Sequence, residues 1–229
     1  MKPFLAALAL GTAIVGSAPA SANAAAVAPA DANLDRLVAL IAPEEAIRRL
    51  AGKAFDAGMD QQIAADPKMK AAFDANPDLR AQVGGQLRSQ FTGILVAALP
   101  SLRAELNGIL QAQLTASEIA DTLTFFSSAT GKKLRAQVYE SMGSAPGQSA
   151  EQVQQAAMAA VMAKMTPDDY PALLAFAGSP ASQKMRIVNP QIQAASTAWA
   201  QKLVEANRPK MEGLAIRLTA DYLAKKGGK

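Results

Sequence analysis

Alanine constrains this chain more than any other feature, because it fills 52 of the 229 positions. Alanine loses no side-chain entropy in a helix and is the best helix former, whereas strands favour β-branched and aromatic residues. Aromatic residues make up only 5% here. No segment alternates polar and apolar residues for long enough to form a strand. Apolar residues instead recur at helical spacing. The sequence therefore predicts an all-α fold: a single helical bundle domain of six to eight helices over residues 34–226, with 227–229 as a tail.

The stripes can be read one by one. Leu79, Val83, Leu87, Phe91 and Leu95 run at i, i+4 on one face, and Leu102, Leu106, Ile109 and Leu110 continue a stripe up to Leu114. Val153, Ala157, Ala160, Val161 and Met165 form another. Met185, Val188, Ile192, Ala195, Trp199 and Leu203 form a third, which keeps its phase through Pro190 and so predicts a kinked helix. Pro100 is expected to end or kink its helix. A separate last helix is expected after Pro209, with Met211, Leu214, Leu218 and Tyr222 inward. Pro43 at N1 with Glu44 and Glu45, Asp66-Pro67 and Asn76-Pro77 read as helix starts. Gly143 to Ser149 reads as a loop.

The first 24 residues read as an address. Lys2 supplies a positive start, Phe4 to Val15 an apolar run, and Ser17 to Ala24 a ladder of small-x-small sites. That is the layout of a secretory signal peptide, with cleavage expected after Ala24 and with Ala22 and Ala20 as rivals. The apolar run is shorter than the roughly 20 residues a bilayer span needs. Residues 25–33 read as a flexible Ala/Pro-rich segment. No second long apolar run is evident, so no transmembrane segment is expected after signal removal. The expected location is periplasmic or secreted. The net charge of +4 arises from Lys2 and three lysines in the tail, Lys225, Lys226 and Lys229, and not from a basic stripe, so nucleic acid is not an expected partner.

With 0 Cys and 0 His, the chain has no disulfide, no thiolate or imidazole metal ligand and no Ser-His-Asp triad. No cofactor is expected. Glu105, Glu118 and Glu140 are the candidates for a lone acid in a cell-wall glycan enzyme, but a sugar cleft would want more aromatics than this chain has. Asp168-Asp169 reads as a helix first turn and not as a metal site.

Two segments align without gaps at an offset of 51 residues: Leu114 to Leu134 and Met165 to Met185. Thr115/Thr166, Leu123/Leu174, Phe125/Phe176, Ser128/Ser179 and Lys133/Lys184 are identical, and Glu118/Asp169 is conservative. Thr115 and Thr166 are expected N-caps, and Thr115-x-x-Glu118 is a capping box. A short helix then ends at a Phe, and Ser128 or Ser179 caps a longer helix. Each unit is therefore predicted to be a helix–turn–helix hairpin. Phe125 and Phe176 should wedge between the arms, with Leu123 and Leu174 in the same core.

Leu114, Thr115, Glu118, Leu123, Phe125, Phe126, Ser128, Thr130, Gly131 and Lys132 together resemble an exported bacterial helical family known as domain of unknown function twenty fifty-nine. The resemblance is firm over roughly residues 100–145. It is weaker in the second segment, which has Ser182-Gln183 where the first has Gly131-Lys132. The resemblance implies an all-helical periplasmic protein and supplies no activity or catalytic residue.

Ser127 to Lys133 lacks the first glycine and the final hydroxyl of a phosphate loop and follows a helix, so nucleotide hydrolysis is not expected. Ser128, Thr130, Lys132 and Lys133 instead form a candidate anion-binding site at a helix start. The leading functional expectation is a non-enzymatic envelope interaction or structural module, with an unknown envelope protein as partner. The alternative is a carrier for a small apolar ligand, with Met158, Met162 and Met165 lining an adaptable groove. The sequence leaves the oligomeric state open.

Overall fold

The computed structural model describes residues 32–142 and 163–227, together with 155 and 159. The export signal, nearly all of the Ala/Pro-rich segment, the Gly143 to Ser149 loop, Met158, Met162 and most of the Val153 stripe lie outside the described residues. Among the described residues the chain is helical throughout, without a strand. We number the helices α1 (Ala32–Ile41), α2 (Glu44–Ala65), α3 (Pro67–Asp74), α4 (Pro77–Gln113), α5 (Ala116–Ser127), α6 (Ala129–Met142), α7 (Tyr170–Ala177) and α8 (Pro180–Gly227). A 3-10 turn, Pro167–Asp169, leads into α7.

Helices α4 and α8 are the two spines, packed along each other. One core cluster joins Leu34, Leu37 and Val38 of α1 to Leu99, Leu102, Leu106 and Leu110 of α4, Ile119 and Leu123 of α5, and Met185 and Val188 of α8. The other joins Phe55 and Met59 of α2 to Leu79, Val83, Leu87, Phe91 and Leu95 of α4 and Met211 of α8. Trp199 lies at the edge of both clusters and donates its indole N–H to Ser101 Oγ at 3.0 Å. Each fully buried leucine on these stripes contributes about 1.5–3 kcal/mol through its burial. Helix α4 is long and apolar enough to cross a membrane by length and composition, but its stripe is packed on α2 and α8.

The α4 stripe holds its line partly because Arg80–Gly84 winds as a π turn. A π turn winds more slowly than an α turn, which keeps residues four apart, Leu79 and Val83, in line with Leu87.

Three sequence expectations are corrected by prolines. Pro100 does not end α4, which runs on to Gln113, and no separate helix begins after Pro209, because α8 is one 48-residue helix containing both Pro190 and Pro209. All three prolines lie on exposed positions. A proline removes one N–H and displaces one carbonyl, and on the solvent side water takes that carbonyl while the buried stripe continues. Pro43 also sits one place earlier than expected, at the N-cap of α2. Asp66 caps α3 as expected, accepting from the Lys68 and Met69 N–H groups. Asn76 does not cap; its amide donates to the Ala72 carbonyl.

Candidate functional site

The first hairpin, α5 and α6, is built from local chemistry. Thr115 caps α5, with its Oγ1 accepting from the Glu118 N–H and the Glu118 carboxylate accepting from the Thr115 N–H at 2.8 Å. Those hydrogen bonds, led by the Thr115 N–H, hold the Glu118 carboxyl below its ordinary value, and the positive charge of Lys184 adds to the effect. At the other end Ser128 Oγ donates to the Phe125 carbonyl and accepts from the Gly131 N–H. The arms approach so closely that a Cβ on Gly131 would lie 2.0 Å from the Phe125 carbonyl oxygen. Only glycine fits there without movement of the backbone.

The second hairpin, α7 and α8, repeats these bonds. Asp169 Oδ2 accepts from the Thr166 N–H and hydroxyl, and Ser179 Oγ donates to the Phe176 carbonyl and accepts from the Ser182 N–H. One difference is large. Asp169 is 3% exposed, and it also accepts from Thr130 Oγ1 at 2.8 Å and from Lys133 Nζ at 2.9 Å, both on the first hairpin. The Thr166 N–H, then Lys133, Thr130 and the Thr166 hydroxyl, hold its carboxyl well below the usual carboxylate range despite burial.

The four residues read as an anion site are therefore divided. Ser128 is the cap of α6, Lys132 points to solvent, and Thr130 and Lys133 hold an anion that belongs to the chain itself. Asp169 is more than a first-turn acid. The signal for it was the offset of 51, which sets each capping acid, Glu118 or Asp169, in register with its counterpart and each lysine, Lys133 or Lys184, likewise. Each lysine then acts on the other hairpin's acid. Such an exchange, in which the lysine of each unit acts on the acid of the other, has the form of a two-fold relation, with Lys133 and Asp169 in contact and Lys184 acting on Glu118 through its charge alone. The rings obey it too. Phe125 and Phe176 lie parallel with centroids 4.1 Å apart, and Phe126 tilts against both. The phenylalanines thus join the hairpins to each other, where the sequence suggested a wedge inside each.

The hairpins differ in what covers them. Ile119 and Leu123 are buried against α1. Helix α1 is held at its C-terminus by donors from elsewhere: Arg103 to the Ala42 carbonyl at 2.9 Å, Arg135 to the Leu40 carbonyl at 3.3 Å, and Tyr139 to the Ile41 carbonyl. Burial pushes the Tyr139 phenol up to about 12, against the opposing charge of Arg135. In the second hairpin the expected core position of Leu174 is overturned: it is 71% exposed, and Tyr170 is 43% exposed. Helix α7 reads Tyr-Pro-Ala-Leu-Leu-Ala-Phe-Ala and contains no buried residue.

A cleft of about 500 Å³ opens between α1 and α5. Of its lining residues only Ala120 and Leu123 are apolar; Arg36, Asn33, Thr124, Ser127 and Ser128 supply the rest. Among the candidate acids, Glu118 is engaged in its capping box and Glu105 and Glu140 are exposed. Among the described residues no group of acidic side chains is placed to hold a metal ion.

No curated protein and no solved structure matches this chain. Residues 100–166, which run from the middle of α4 through the first hairpin to the cap of the second, match the model of a bacterial family described as "Uncharacterized protein conserved in bacteria (DUF2059)".

Proposed function

We propose that this chain is an exported, non-enzymatic interaction module of the bacterial envelope, built as two copies of one hairpin unit. The observation that carries the reading is α7: an apolar helix without a buried residue, fixed at both ends by hydrogen-bonded caps. Exposing Leu174 and Tyr170 side by side on one helix face is unfavourable unless something covers them, and such patches mark interaction sites. The Lys133–Asp169 contact, the charge of Lys184 on Glu118 and the Phe125–Phe176 stack support the duplicated unit. The Lys2, apolar run and Ala-x-Ala pattern supports export. The carrier reading would need an enclosed apolar cavity, and the cleft beside α5 is open to solvent.

The test places a photo-crosslinking residue at position 174 of the full chain in living cells. Adducts at 174 that are missing from a control at Ile216, another exposed apolar position, are the expected result. Equal labelling at both positions would remove the interaction site. N-terminal sequencing of extracytoplasmic protein should start at Ala25 or within a few residues of it; full-length protein confined to the cytoplasm would remove the export half.

A further inference from the structure

On the first hairpin, α1 lies over a site of three parts. Ile119 and Leu123, one turn apart on α5, take the leucines of α1. Arg135, on α6, donates to a carbonyl at the C-terminus of α1, where the helix dipole is negative. Fifty-one residues on, the same three places hold Tyr170, Leu174 and Arg186. The hairpin junctions share their serine hydrogen bonds, and Tyr170, Leu174 and Arg186 hold in the second unit the register positions that Ile119, Leu123 and Arg135 hold in the first. Here, however, Tyr170, Leu174 and Arg186 are all exposed.

We infer that α7 and Arg186 form a second site of the α1 type, and that its occupant is an amphipathic helix of a partner protein. The occupant's chemistry follows from α1. It presents Leu or Val at i, i+3 and i+4, as Leu34, Leu37 and Val38 do, to Tyr170 and Leu174. It ends at Arg186, whose guanidinium complements the carbonyls of a helix C-terminus. This is the helix-on-groove mode of recognition, with apolar anchors giving affinity and one cation fixing polarity. The inference rests on the interaction-module reading and adds to it the kind of partner and its direction.

The probe is a helix-stapled, fluorescent peptide with the sequence of Asn33 to Ala42, titrated into the full chain and read by anisotropy. Stapling removes the cost of forming so short a helix in solution. Saturable binding is expected. Leu174→Glu should weaken it by about tenfold or more, and Arg186→Glu by about threefold or more through repulsion of the peptide's C-terminus. Ile216→Glu should leave it unchanged. All three positions are exposed, so the variants should keep the parent's thermal transition, which circular dichroism checks. No saturable binding, or binding indifferent to Leu174→Glu, would overturn the inference. Concentration-dependent dimers lost on Leu174→Glu, without peptide binding, would assign the face to a second copy of the chain. Binding to phosphatidylglycerol vesicles lost on Leu174→Glu, again without peptide binding, would assign it to lipid. If crosslinks form at 174 in cells while the peptide fails to bind, the interaction module stands and the helical partner falls.

Discussion

Truncating the stacked rings tests whether the two hairpins are energetically one object. Phe125 is 7% exposed, so Phe125→Ala removes a nearly fully buried ring and should cost about 3–5 kcal/mol. Phe176 is half-buried, and Phe176→Ala should cost less, about 2 kcal/mol by scaling the burial. A parallel pair at 4.1 Å adds about 0.5–1.5 kcal/mol beyond area, and this part is lost in either single variant. The double variant should therefore be more stable than the sum of the singles implies, by about 1 kcal/mol. Urea unfolding supplies the four free energies. Trp199, the single tryptophan, touches both core clusters, so its fluorescence and far-ultraviolet circular dichroism should give coincident transitions. Additivity within about 0.3 kcal/mol would refute the coupling. So would a Phe176→Ala cost that is the same in both backgrounds.

Three other outcomes follow from the same junction and from α1. Gly131→Ala should destabilise the chain by about 1–3 kcal/mol, because the new methyl meets the Phe125 carbonyl, whereas Ser182→Ala at the matching place should be tolerated; denaturant midpoints decide. Asp169 has a lowered folded-state value, so its contribution is complete above the unfolded value near pH 4 and is lost as pH falls further. Asp169→Asn should thus destabilise most at neutral pH, with the gap to the parent closing in acid; a gap that stays constant with pH would refute the charge network. Tyr139 has a raised value, so its contribution is present below the unfolded value near pH 10 and is lost as pH rises through about 12. Tyrosinate absorbance should show one late-titrating phenol, and Tyr139→Phe should remove it at a cost of about 0.5–1.5 kcal/mol for the hydrogen bond to α1.

What could be read from sequence was what is decided locally. The Leu79 to Leu95 and Leu102 to Leu110 stripes, the Thr115 and Ser128 caps and the Thr115–Glu118 box depend on residues within one or two turns, and they stand in the structure. Pro209 was misread as a helix start because a proline's effect depends on which side of the helix it occupies, and Pro209, like Pro100 and Pro190, occupies the wet side. The carboxylate held by Thr130 and Lys133 was not legible because Asp169 is 36 residues from Lys133 and 39 from Thr130. Leu123 and Leu174 sit in matching local sequence, yet one is buried and the other bare. The difference is α1, which covers only the first hairpin, and nothing within either segment announces that.

The reciprocal junction also sets how the chain can be cut. The span recognisable as a family unit closes at Thr166, three residues before Asp169 and ten before Phe176. A fragment ending there would keep Thr130 and Lys133 but lose the carboxylate they hold, and would open one face of the Phe125 ring to water. Its α5 would also need α1, which begins almost seventy residues before the matched span. The span that matches the family model is therefore smaller than the unit that packs together. A protease nick between the hairpins would leave two pieces held by the packing of α4 on α8, the ring stack and the Lys133–Asp169 ion pair, able to stay associated but not to be exchanged for an unrelated neighbour.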